Sequence, residues 1–116
     1  MTSRTDADRP VTAVRDYLQS CGLRVLDQSW RHSTGELDLA AADRDVFIAC
    51  AVRVRTHSVH RDPQDLPAKK VQLLRRLAVR WQKEHGVRYG QVRIDVAVVT
   101  WEGTGGYTIE HVKGVG

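Results

Sequence analysis

The chain has 116 residues, 41% of them apolar and 28% charged, which supplies one packed core and excludes global disorder. Eighteen Lys and Arg against fourteen Asp and Glu leave a net charge of +4 at pH 7, a modest basic excess that suits a polyanionic partner. No apolar run approaches the roughly 20 residues that span a bilayer, and the polar opening Met1–Pro10 matches neither a signal peptide nor a transit sequence. The expectation is a cytoplasmic protein with no membrane partner. Cys21 and Cys50 stand far apart, with no CxxC and no Cys/His cluster, so the common structural zinc modules are excluded and both are read as reduced, buried thiols.

Taken in order, residues 1–10 are expected to form a flexible tail and 11–116 a single domain. Pro10 suits a first helical turn, with Asp8 near enough to cap it. Val11, Val14, Leu18 and Cys21 then recur on one helical face until Gly22 ends the helix. An extended stretch, 23–30, leads to a hairpin turn at His32–Gly35. Residues 36–40 alternate, placing Glu36 and Asp38 on one face and Leu37 and Leu39 on the other. After a second turn at 43–45, residues 46–55 form the most strand-like segment, with Ile48, Cys50, Val52 and Val54 on one face and Phe47, Ala49, Ala51, Arg53 and Arg55 on the other. A loop over 57–67 precedes a helix over 68–85, closed by Gly86. Its apolar arc is Val71, Leu74, Leu77, Ala78 and Trp81, and Lys69, Arg76, Arg80 and Lys83 line the opposite side. A strand over 92–100 and a short last strand over 107–112 complete an αβββαββ order, which predicts an α/β domain on a mixed central sheet of about five strands.

Glu36 and Asp38 on one strand face Arg53 and Arg55 on the next if the turn at 43–45 closes a hairpin. Two readings fit. One is a cross-strand ladder of ion pairs. The other is a metal or phosphate site, in which carboxylates hold a hard cation and a neighbouring positive charge steadies phosphate oxygens or an attacking water.

Beyond that group, the Lys69/Arg76/Arg80/Lys83 stripe reads as a phosphate-tracking face or as a solvated one. Arg53, Arg55, His57, His60 and Arg61 form a second basic cluster running from strand into loop. His57-x-x-His60 has no acidic or thiol partner nearby and reads as loop rather than half of a zinc site. Trp30, Trp81 and Trp101 are assigned to packing, and Asp95 to a pair with Arg93 on its own strand face.

Gly35-Glu36-Leu37-Asp38-Leu39 resembles the GEIDL signature of the YraN family, small bacterial proteins related to restriction endonucleases. Tyr17-Leu18 followed by Cys21–Leu26 and Trp30-Arg31 is similar to that family's first helix and strand. Lys70, Leu73, Arg76-Leu77-Ala78 and Trp81 are similar to its long helix, Val92–Val96 to its RFDV strand, and His111 with Gly114–Gly116 to its close. The similarity covers roughly residues 11–116, with the motifs in the family's order.

The resemblance implies a restriction-endonuclease-like core of the PD-(D/E)xK class, in which two carboxylates bind Mg²⁺ or Mn²⁺ and a Lys supports the nucleophilic water or the phosphate. Asp38 takes the first acidic position. The next strand should read Glu-Val-Lys and reads Ala51-Val52-Arg53; the family's helix Gly-Glu pair is replaced by Pro10-Val11. An Arg guanidinium stays charged and cannot serve as a base. The resulting expectation is a nucleic-acid-binding protein whose endonuclease site is degenerate. Asp38, Glu36 and Arg53 are the vestigial site, any metal on Asp38 is weak or absent, and no cofactor is required. An Arg53–Asp38 pair is expected where a metal would sit. Arg53, Arg55, Arg61, Lys69, Lys70, Arg76 and Arg80 are the candidate DNA or RNA contacts. The alternatives are an active Mg²⁺-dependent endonuclease using Glu36 and Asp38, or a protein-interaction module on the same scaffold.

Overall fold

The computed structural model describes residues 9–55, 65–102 and 105–115. The expected order holds: α1 (Arg9–Ser20), β1 (Arg24–His32), β2 (Gly35–Asp43), β3 (Val46–Arg55), α2 (Ala68–Glu84), β4 (Gln91–Trp101) and β5 (Tyr107–Val112). Arg9 begins α1 and Pro10 lies in its first turn, where its residue type suits. Asp8 and the loop histidines His57 and His60 lie outside the described residues.

The two helices stop for the same reason. Gly22 (φ 88) and Gly86 (φ 67) adopt a left-handed conformation that costs glycine nothing sterically. The chain beyond each glycine then turns back, so that Leu23 N–H donates to the Leu18 carbonyl and Val87 N–H to that of Gln82.

One sheet runs in the spatial order β1-β2-β3-β4-β5. Strands β1, β2 and β3 form an antiparallel meander through two-residue turns, β3 and β4 are parallel with α2 as the crossover, and β5 returns antiparallel. The sheet is covered on both sides. Val71, Leu74, Leu77, Ala78 and Trp81 of α2 pack on Leu37, Ala40, Phe47, Ala49 and Ala51. Val14 and Leu18 of α1 pack on Leu39, Ala41, Ile48, Cys50, Ala97 and Val99. The alternation read for β3 therefore holds, and small residues on β2 and β3 meet both helices.

Two expectations need correction. Leu37 and Leu39 do not share a face, because Leu37 belongs to the α2 side and Leu39 to the α1 side. The neighbouring strand is irregular at the same point: Ser29 of β1 has φ 55, and the pairing passes from Trp30↔Leu37 to Gln28↔Leu39 without joining Ser29 to Asp38. A left-handed residue rotates its strand locally, and the alternation of β2 changes phase opposite it. Cys21 is also not buried: it falls just past the end of α1 and is exposed, whereas Cys50 is buried.

Candidate functional site

Asp38 lies at that break. Ladder pairing between β2 and β3 covers Leu39↔Cys50 through Asp43↔Val46. Where the next backbone pair would form, the Asp38 carboxylate reaches across instead, and Oδ2 accepts the Val52 N–H at 2.8 Å. The strand rotation at Ser29/Asp38 thus turns a side chain into a substitute for a backbone partner. The carboxyl is half-buried, and burial raises its pKa above the ordinary value. The Val52 N–H and the charge of Lys70 oppose that rise, Glu36 adds to it, and Arg53 opposes it more weakly.

Lys70 is the main positive charge acting on Asp38. It stands in the first turn of α2, which the β3–α2 connection carries back over the sheet. The sequence reads Lys70 as a nucleic-acid contact and Arg53 as Asp38's partner. Among the described residues no ion pair joins Arg53 to Asp38, so the expected Arg53–Asp38 fork is absent and Arg53 acts on the carboxylate through its field alone. Glu36 is likewise within charge range of Asp38, but its carboxylate lies toward Arg31, 4.0 Å away across the hairpin. Arg55 reaches over β4 to Glu110 of β5 at 2.8 Å, a pair outside the β2–β3 hairpin. Arg61 lies outside the described residues. Lys69, Arg76 and Arg80 are exposed on α2, as the helical spacing predicted.

The donor set can be tested against a divalent ion. Mg²⁺ favours near-octahedral oxygen ligation with carboxylates to neutralise it. Here one carboxylate faces two cationic side chains, and the position of a second acid is the buried methyl of Ala51. Among the described residues no group of three or more His, Cys, Asp and Glu side chains converges. These side chains do not fit the two-carboxylate metal centre that the motif resemblance implies.

A second polar cluster lies on the α1 side. Asp95 is completely buried. Arg93 Nε and Nη2 donate to its two oxygens at 2.8 and 2.9 Å, and the Gly114 N–H donates at 3.0 Å. His111 Nε2 is 2.8 Å from Oδ2, while Nδ1 of the same ring lies 3.3 Å from the Tyr17 hydroxyl. With Nε2–H donated to the carboxylate, Nδ1 accepts the Tyr17 O–H. Burial acts to raise Asp95; the hydrogen bonds from His111, Arg93 and Gly114 outweigh it and bring the carboxyl down to about 2. Burial and the adjacent Cys21 thiol raise Tyr17. The sequence pointed to Arg93 as the partner of Asp95 but carried no signal for Tyr17, His111 or Gly114.

Comparison with known proteins places this chain among relatives. Residues 12–99 match the family described as "Uncharacterised protein family UPF0102". The chain is 37% identical to a UPF0102 protein of Arthrobacter sp. and 38% identical to one of Beutenbergia cavernae, each over 86% of both chains. It is 39% identical to a UPF0102 protein of Streptomyces coelicolor over 84% of this chain and 78% of the relative. No helix among the described residues is long and apolar enough to cross a membrane. The ordered motifs, the mixed five-stranded sheet and these matches agree, and the chain belongs to UPF0102, the YraN family.

Proposed function

We propose that this protein binds nucleic acid through the cationic surface around Asp38 and does not run the two-carboxylate hydrolysis of the nuclease class that its motifs resemble. The observation that carries the reading is the composition at the β2–β3 break: Asp38 under the charges of Lys70 and Arg53, with Ala51 in place of the second acid. Cations grouped at the end of a sheet suit phosphate oxygens. A lone half-buried carboxylate among them is better placed to hold the strands than to hold a metal, since it accepts the Val52 N–H.

Fluorescence anisotropy with a labelled oligonucleotide tests this reading. Binding is expected to weaken steeply as salt rises, because phosphate contacts release counterions. Asp38→Asn retains an oxygen for the Val52 N–H and removes a negative charge facing phosphate, so affinity should rise a few-fold without added metal. If a metal held by Asp38 were the anchor for phosphate, the same variant would lose affinity and the metal-free protein would not bind. Incubation of plasmid DNA with Mg²⁺ or Mn²⁺ should leave it uncut; cleavage abolished by Asp38→Ala would favour the working endonuclease that uses Glu36 and Asp38.

A further inference from the structure

The nucleic-acid reading rests on the surface around Asp38, yet further positive charge stands along the same helix that carries Lys70. The tip of the β1–β2 hairpin sits directly on α2. A Cβ on Gly35 would stand 3.1 Å from Leu73 Cδ2 and 3.2 Å from Leu77 Cδ1, closer than side chains normally approach. The missing side chain at Gly35 therefore lets the hairpin rest on the helix, which carries His32 and Thr34 to the basic face of α2. Between them opens a groove of about 270 Å³, with Arg76, Leu77, Val79, Arg80 and Lys83 of α2 on one side and the hairpin's His32 and Thr34 on the other.

The charges do not cancel. Glu84 is 3.0 Å from Arg80 Nε and 3.9 Å from His32 Nε2, which compensates one cation. Arg76 and Lys83 have no ion-pair partner among the described residues. Thr34 and the His32 ring add hydroxyl and imidazole groups at the rim, with the Thr34 hydroxyl 3.3 Å from His32 Nδ1. The His32 ring is itself stacked on Trp30, at 5.6 Å between centroids, so its position is fixed by a partly buried neighbour. A groove with apolar carbon of Val79 and Leu77 between its cations and a net positive charge takes an anionic group attached to a larger body rather than a bare ion.

Its place relative to Asp38 defines that body. Lys70, beside Asp38, and Arg80, in the groove, are ten residues apart on one helix, about 15 Å at 1.5 Å per residue. For a strand stacked as in a duplex, at 3.4 Å per nucleotide, that distance is about four nucleotides. We infer that the groove between the β1–β2 hairpin and α2 is a phosphodiester-binding subsite that holds a nucleic-acid strand some four nucleotides from the Asp38 end of the same surface. This rests on the nucleic-acid reading above and adds to it a second contact point, with Gly35 as the residue that lets the groove form.

The test is anisotropy with a fluorescein-labelled single-stranded oligonucleotide across a chloride series, comparing the unaltered protein with Arg76→Gln/Lys83→Gln. Both side chains are exposed, and circular dichroism confirms the fold. The variant should bind about tenfold or more weakly at physiological salt, with the log–log salt slope reduced by about 1.4 units, the value for two phosphate contacts on a single strand. Arg44→Gln, at the exposed β2–β3 turn at the other end of the sheet, should bind as the parent does. If the parent binds and Arg76→Gln/Lys83→Gln leaves affinity and slope unchanged, the groove is not the subsite and the reading at Asp38 stands alone. If the parent shows no salt-dependent binding, both fall. Inorganic phosphate at matched ionic strength should displace the oligonucleotide no better than chloride. Full displacement at millimolar phosphate would make the groove a site for the free anion and overturn the inference.

Discussion

Removing the Asp95 carboxylate should destabilise the fold more than most single changes. Asp95 is 0% exposed and receives both Arg93 bonds, the His111 bond and the Gly114 N–H. In Asp95→Ala these donors lose their acceptor while still enclosed by the sheet and α1. Breaking a buried charge pair from one side costs about 3–5 kcal/mol, and the lower end applies because water reaches Arg93, whose side chain is 26% exposed. At roughly 4 °C per kcal/mol for a domain of this size, the melting temperature should fall by about 12 °C. Asp95→Asn keeps the shape but sets an amide N–H₂ against groups that all donate, so it should lose more than half as much. The pH dependence follows from the lowered pKa. The carboxyl titrates near 3.8 when unfolded and near about 2 when folded, so its contribution of about 2 kcal/mol is complete above about pH 5 and is lost as pH falls toward 2. Thermal unfolding followed by circular dichroism from pH 3 to pH 7 reads both effects. A melting temperature for Asp95→Ala within about 3 °C of the parent would refute the reasoning, as would an acid limb no shallower in Asp95→Asn than in the parent.

Other outcomes follow from the same contacts. Asp38→Asn should raise the melting temperature slightly at neutral pH, because a carboxyl raised by burial is destabilising when ionised, and stability in the parent should increase as pH falls through its folded pKa. A lower melting temperature in this variant would show that the negative charge itself holds the strands. Trp81→Phe removes the Nε1–H donated to Asp27 Oδ2 at 2.8 Å while keeping most of the ring's packing against Phe47, and should cost about 1–3 kcal/mol in denaturant unfolding. Gly90→Ala should cost about 1–3 kcal/mol, since the new methyl meets the Asp45 carboxyl that accepts the Gly90 N–H; a neutral result would show that the Asp45 side chain moves aside without loss.

The periodic features of the fold were legible in the sequence. Alternation in 46–55 sorted Phe47, Ala49 and Ala51 from Ile48, Cys50 and Val52, and the two helix-ending glycines stood where the spacing put them. The local exception was not legible, because the break between Leu37 and Leu39 lies opposite the left-handed Ser29 of a different strand, a pairing with no spacing rule. The same limit governs the site. Asp38 was found from its motif, but its main charge partner, Lys70, comes from a helix returned by the crossover, a tertiary fact with no spacing rule. Tyr17 and His111 meet across 94 positions of chain, so the network around Asp95 could be anticipated only in its local Arg93 member. Charge on α2 was readable; that Gly35 lets the hairpin close a groove over it was not.

The reading at Asp38 depends on the missing second acid and the two neighbouring cations. Calorimetric titration of Mn²⁺ into the parent and into Ala51→Glu/Arg53→Lys tests it directly. The account predicts no binding heat from the parent in the micromolar range, and binding by the double variant that disappears when Asp38→Ala is added. Micromolar Mn²⁺ binding by the parent, abolished by Asp38→Ala alone, would contradict it.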